Sequence, residues 1–153
     1  MNDSNIDERT NNAVGYLFAI LGMVVSVVAQ MVYFNFFGLI NWLDAIVPGV
    51  IAGACVLFGF KIGKGICGKK FPVSLVLIAA VAVILGFLLG ITFLIYNISE
   101  LTLGEAFFVF FDEFLFADLQ GGTLYHSQGL IDFAVATGLA ILIVCGKHIY
   151  DQA

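Results

Sequence analysis

Apolar and polar positions divide the chain into long uncharged stretches joined by short polar ones. Ala13 to Phe34 and Phe71 to Tyr96 carry no charge, and each exceeds the ~20 helical residues that cross a hydrocarbon core of about 30 Å. Ala45 to Phe60 is shorter. Lys61 and Lys64 extend it, because their methylene stems can lie in apolar surroundings while the ammonium groups reach the interface, and the helix is expected to continue toward Cys67. Asp44 stands at its start as a cap, with Pro48 expected in the first turn. Phe133 to Gly146 reaches spanning length with Asp132 and Lys147 at its two interfaces, an acid and a base each placed to oppose the helix dipole. The pattern therefore predicts spans over about 13–34, 45–67, 71–96 and 130–150.

The stretch 101–119, LTLGEAFFVFFDEFLFADL, is different. On a helical projection Thr102, Glu105, Asp112, Glu113 and Gln120 share one narrow stripe, with phenylalanines around the rest, a pattern that suits an interfacial or re-entrant amphipathic helix over about 102–118. Carboxylates there make a full crossing costly. The first twelve residues are polar and acidic, without the basic n-region of a secretory signal, and read as a retained, mobile cytoplasmic tail.

Composition agrees with lipid as the main solvent. Of 153 residues 61% are hydrophobic and only 11% charged, with a mean hydropathy of +1.07, whereas soluble domains carry about 25% charged residues. The net charge of −5 matters less than its sidedness. Arg9, Lys61, Lys64, Lys69, Lys70 and Lys147 all fall on one side if the chain crosses four times, which places both termini in the cytoplasm under the positive-inside rule. A fifth crossing at 101–119 would send Lys147 outward. The expected fold is thus an all-α integral membrane four-helix bundle, N-in and C-in, with an added amphipathic helix between spans 3 and 4.

Helix association in lipid depends on close packing through small residues. Gly22 with Ser26, Gly49 with Gly53, Gly86 with Gly90, and Ala134 with Gly138 supply a four-residue step in each span. These eight are the expected helix-packing positions.

Reactive chemistry is sparse. Gly63 to Lys70 imitates the spacing of a phosphate-binding loop, but Lys70 stands where a hydroxyl is needed and no strand precedes it; a glycine-rich turn carrying inner-face lysines is the simpler account. Glu105, Asp112, Glu113 and Asp118 form a candidate outer-face acidic site, since hard cations favour oxygen ligands, although a solvated polar stripe is the simpler account. His126 and His148 fall on opposite sides and share no metal. The three cysteines lack a paired spacing. Gln30 is the one sizeable polar side chain inside a span, with Ser26 and Thr137 as smaller companions. No ionisable residue sits mid-span, which argues against a proton-coupled carrier. No cofactor or metal site is expected, and nucleic acid is excluded as a partner.

The segment from Ala45 to Tyr96, AIVPGVIAGACVLFGFKIGKGICGKKFPVSLVLIAAVAVILGFLLGITFLIY, resembles the glycine- and alanine-rich hairpin of small, uncharacterised bacterial multi-span membrane proteins. The resemblance implies a bacterial plasma membrane and carries over no catalytic or binding residue. Three functions follow in order: a structural or accessory membrane protein that packs with itself or a larger membrane partner; an oligomeric pore or small-solute carrier lined by Gln30, Ser26 and Thr137; and an enzyme at the membrane surface using His126 and the carboxylates.

Overall fold

The computed structural model describes residues 3–37, 43–65, 73–112 and 127–150, and side chains over 12–37, 43–65, 73–112 and 131–146. It is all helical, with no strand among these residues. The helices are α1 (Asp3–Phe37), α2 (Leu43–Ile62), α3 (Val73–Ile98), α4 (Leu103–Val109) and α5 (Ser127–Tyr150). Three stretches, Asn12–Phe37, Leu43–Ile62 and Val73–Ile98, are long and apolar enough to cross a membrane, and the apolar part of α5, Ile131–Gly146, is shorter. The protein is a membrane protein by this criterion. The helical backbone of α1 extends to Asp3, through the segment expected to be a tail.

α1, α2, α5 and α3 follow one another around a ring, with α2 and α3 also meeting across its shorter diagonal. Contacts fix their directions. Gly15 lies against Gly65 and Gly22 against Cys55, so α1 and α2 are antiparallel. Gly86 lies against Gln30 and Gly90 against Phe34, so α1 and α3 are parallel; Gly49 on Ala136 and Gly53 on Ala140 make α2 and α5 parallel as well. The interior is filled by Phe34, Val56, Leu75, Val83 and Ile91. A chain of edge-on rings, Phe34 to Phe87 at 5.3 Å and Phe87 to Phe133 at 5.6 Å, links α1, α3 and α5.

Two features of α2 depart from expectation. The helix ends at Ile62 and does not run toward Cys67. Lys64 adopts a left-handed φ of 56°, the Gly65 N–H donates to the Phe60 carbonyl and the Lys64 N–H to the Lys61 carbonyl, both at 3.0 Å. That pair of bonds is a Schellman termination, with Lys64 where glycine is usual. Pro48 falls in the second turn of α2, since the helix begins at Leu43. Its missing N–H takes away the helical donor of the Asp44 carbonyl.

α4 is seven residues long and continues into a π turn at 110–112. Thr102 is its N-cap, in a reciprocal capping box with Glu105. Residues 113–118 of the expected amphipathic helix lie outside the described residues.

Candidate functional site

The small residues act first. A Cβ on Gly22 would collide with the Cys55 carbonyl oxygen, one on Gly49 with the Ala136 carbonyl, and one on Gly59 with the Phe18 carbonyl. Each partner is backbone, so the neighbouring helix itself would have to move. Gly53 faces Ala140 and Ile143 more loosely, its Cβ position lying 3.1 Å from the Ala140 carbonyl oxygen. Gly90 makes room for the Phe34 ring. Ser26 is buried and its hydroxyl donates to the Met23 carbonyl of its own helix at 2.8 Å.

Ala134 and Gly138 do not join this packing. Ala134 is exposed, and among the described residues no atom outside its own helix backbone lies within 4 Å of where a Gly138 Cβ would stand. The face that α5 turns inward carries Ala136, Ala140 and Val144, all fully buried. These lie two positions further on, about 200° around the helix, and so on the other side.

Gln30 is fully buried on α1, and its Nε2 donates to the Ala82 carbonyl of α3 at 3.3 Å. All three atoms nearest a Cβ at Gly86 belong to the Gln30 carboxamide, so the glycine is the seat on which this side chain rests. The Gln30 Oε1 and the Thr92 Oγ1 are buried without a hydrogen-bond partner. An amide oxygen set over a glycine Cα–H gains a weak C–H···O contact, of a kind that recurs between closely packed helices. Thr137 is half-buried, and its hydroxyl donates to the Phe133 carbonyl at 2.9 Å. Gln30, Ser26 and Thr137 therefore bond separately, two of them within their own helices, and form no shared polar lining.

A second polar group closes the end of the bundle where α1 and α3 finish and α2 begins. The Tyr33 hydroxyl donates to Asp44 Oδ1 at 3.1 Å, and Asp44 is buried. Tyr33 stacks on Phe37 at 5.4 Å. The Asn97 Nδ2 donates to Asn35 Oδ1, and Asn35 Nδ2 donates to the Met31 carbonyl at 2.8 Å. Sequence reading gave Asp44 only a capping role; its burial beside Tyr33 depends on the crossing of two helices and has no local signature.

The acidic candidates are dispersed or undescribed. Glu105 is exposed and occupied by Thr102: it accepts from the Thr102 N–H at 2.8 Å and the Thr102 hydroxyl at 2.7 Å. Those bonds hold its carboxyl below the ordinary glutamate range, the backbone bond most. Asp112 is exposed in the π turn. Glu113, Asp118, His126 and Cys67 lie outside the described residues. Among the described residues no three His, Cys, Asp or Glu side chains converge as a metal site would require. Cys55 and Cys145 are free thiols, half-buried.

No family model, curated protein or solved structure matches this chain.

Proposed function

We propose that the chain is a four-span bundle with both termini in the cytoplasm, serving as a structural or accessory protein of a bacterial plasma membrane that packs with itself or with a larger membrane partner. One observation carries this reading. Interior glycines sit against a neighbouring helix's backbone or side chains, whereas no described atom outside their own helix lies within 4 Å of a Cβ at Gly138 or Gly146 on α5. Ala134 is exposed beside them and Leu142 is 66% exposed. A small-residue face that the chain's own fold leaves unused is what a second helix in the membrane can approach closely.

Copurification in mild detergent, with mass determination of the protein component, tests the reading. The wild type is expected to run as an oligomer or with a partner, and Gly138→Leu as a folded monomer, since a Cβ at 138 meets no described atom of another helix. A wild-type protein that is strictly monomeric and alone overturns it.

The second reading, an oligomeric pore or small-solute carrier, draws on the buried, unpartnered Gln30 Oε1 inside the bundle. Liposome flux that is unchanged in Gln30→Leu removes it.

A further inference from the structure

The outward side of α3 is covered where it should be bare. Thr92 lies about two and a half turns from Val83, and Val83 points into the bundle core. Thr92 therefore projects away from α1, α2 and α5, toward what would be lipid. Further down the same helix the outward positions are open, Leu77 at 60% and Ile84 at 46%, yet Thr92 is only 3% exposed. Leu88 and Ile95, one turn to either side of Thr92, are likewise half-buried and packed against the core cluster. The remaining described element against α3 is α4.

α4 has the matching face. Ala106 and Phe110, one turn apart, are its buried residues, and Phe110 belongs to the same cluster as Phe87 and Ile91. Among the described residues α4 is the element left to lie over Thr92, which stands six positions before Ile98 and so about 9 Å from the helix end at 1.5 Å per residue.

Depth follows from length. α3 has 26 residues, about 39 Å, against a hydrocarbon core of about 30 Å. Each end then overhangs by roughly 4 to 5 Å, which puts Thr92 about 5 Å inside the hydrocarbon boundary. Resting on the membrane reading above, we infer that α4 is a short re-entrant helix inserted beside α3, with Leu103, Phe107 and Phe108 facing the acyl chains of the leaflet that holds the C-terminal end of α3.

Capping at the start of α4 lowers the cost of insertion. In hydrocarbon every N–H needs a partner within the protein; here Glu105 satisfies the Thr102 N–H, Thr102 Oγ1 accepts from the Glu105 N–H, and the Phe110 N–H bonds the Ala106 and Phe107 carbonyls. Beyond Glu105 in the first turn, the exposed side chains of α4 are apolar: Phe108 is 73% exposed, and Leu103 and Phe107 are exposed, as are Phe93 and Tyr96 on α3. Asp112, exposed in the π turn, limits the descent. A carboxylate at the bilayer centre costs about 3 kcal/mol, and the α-helical geometry gives way there.

Tryptophan scanning in liposomes tests this. The single natural tryptophan, Trp42, is replaced by Phe, and Leu103→Trp, Phe107→Trp and Phe108→Trp are placed singly in vesicles of lipids brominated at successive acyl positions. Leu77→Trp on α3 serves as the control for membrane embedding. Phe107→Trp and Phe108→Trp should show blue-shifted emission that is lost to acyl-chain bromines, at greater depth than Leu103→Trp. Equal depth at 103 and 108 means a helix lying flat, and overturns the inference. Quenching of Phe108→Trp by aqueous iodide overturns it, and so does blue-shifted emission that bromines do not touch, which would put protein on this face. Loss of bromine quenching at Leu77→Trp overturns the membrane reading itself, whereas quenching there without quenching at 107 and 108 overturns only the re-entrant helix.

Discussion

Gly86→Ala is expected to destabilise the protein through one side chain, and removal of that side chain should restore it. The new methyl group would overlap only the Gln30 carboxamide among its nearest neighbours. Gln30 must then leave its place, and its bond to the Ala82 carbonyl goes with it. Overpacking of a close-fitted interior costs about 1–3 kcal/mol, and an interhelical hydrogen bond in a membrane contributes about 0.6–2 kcal/mol, so Gly86→Ala should lose about 2–4 kcal/mol. Gln30→Ala alone loses the bond and opens a cavity, but also removes the buried unpartnered Oε1; about 1–2 kcal/mol is expected. In the double variant the methyl group at 86 grows into the space the carboxamide has left. Reversible unfolding in mixed micelles, followed by circular dichroism, measures all three. The double variant should be more stable than the sum of the single losses by at least about 1 kcal/mol. Additivity within about 0.5 kcal/mol, the behaviour of independent sites, would refute the seat that Gly86 provides.

Other consequences are as specific. Gly22→Ala drives a methyl group at the Cys55 carbonyl and should cost about 1–3 kcal/mol in the same assay, while Gly138→Ala, with open space around it, should be neutral or gain up to about 1 kcal/mol of helix propensity. Lys64→Gly relieves a left-handed lysine and should stabilise the end of α2 by about 1 kcal/mol, read as slower amide exchange at Gly65. Glu105 has a folded-state pKa below its unfolded value because of Thr102; its contribution to α4 is present above the unfolded value of about 4.3 and is lost as pH falls through the lower folded value. The amide resonance of Thr102 should report that transition by NMR, and Glu105→Gln should flatten it.

Long uncharged runs were enough to place α1, α2 and α3, because crossing length and apolarity are properties of a single helix. Glycine spacing pointed to Gly22, Gly49, Gly53, Gly86 and Gly90, and a Cβ at each would stand close to atoms of a neighbouring helix: close approach needs small residues wherever the partner comes from. Spacing failed on α5, where AVATGLA puts small residues on two faces, Ala134 with Gly138 and Ala136 with Ala140. Only the position of α2 decides between them. The end of α2 was misread because lysine is a good helix former, and its left-handed conformation at 64 is imposed by the turn. The pairing of Thr102 with Glu105 was legible, since T-x-x-E is the capping-box spacing; projecting both onto one polar stripe obscured it. Asp44 beside Tyr33 and Gln30 on Gly86 are contacts between helices, and neither side of such a pair reveals the other.

In the proposed membrane bundle the α2–α3 turn faces the cytoplasm and the α3–α4 turn faces outward. Lys64→Cys and Glu100→Cys, each in a background with the three native cysteines replaced by serine, can be treated in intact cells with a membrane-impermeant maleimide. Glu100→Cys should label in intact cells and Lys64→Cys only after permeabilisation. Labelling of Lys64→Cys from outside, or of both positions from the same side, would contradict the account.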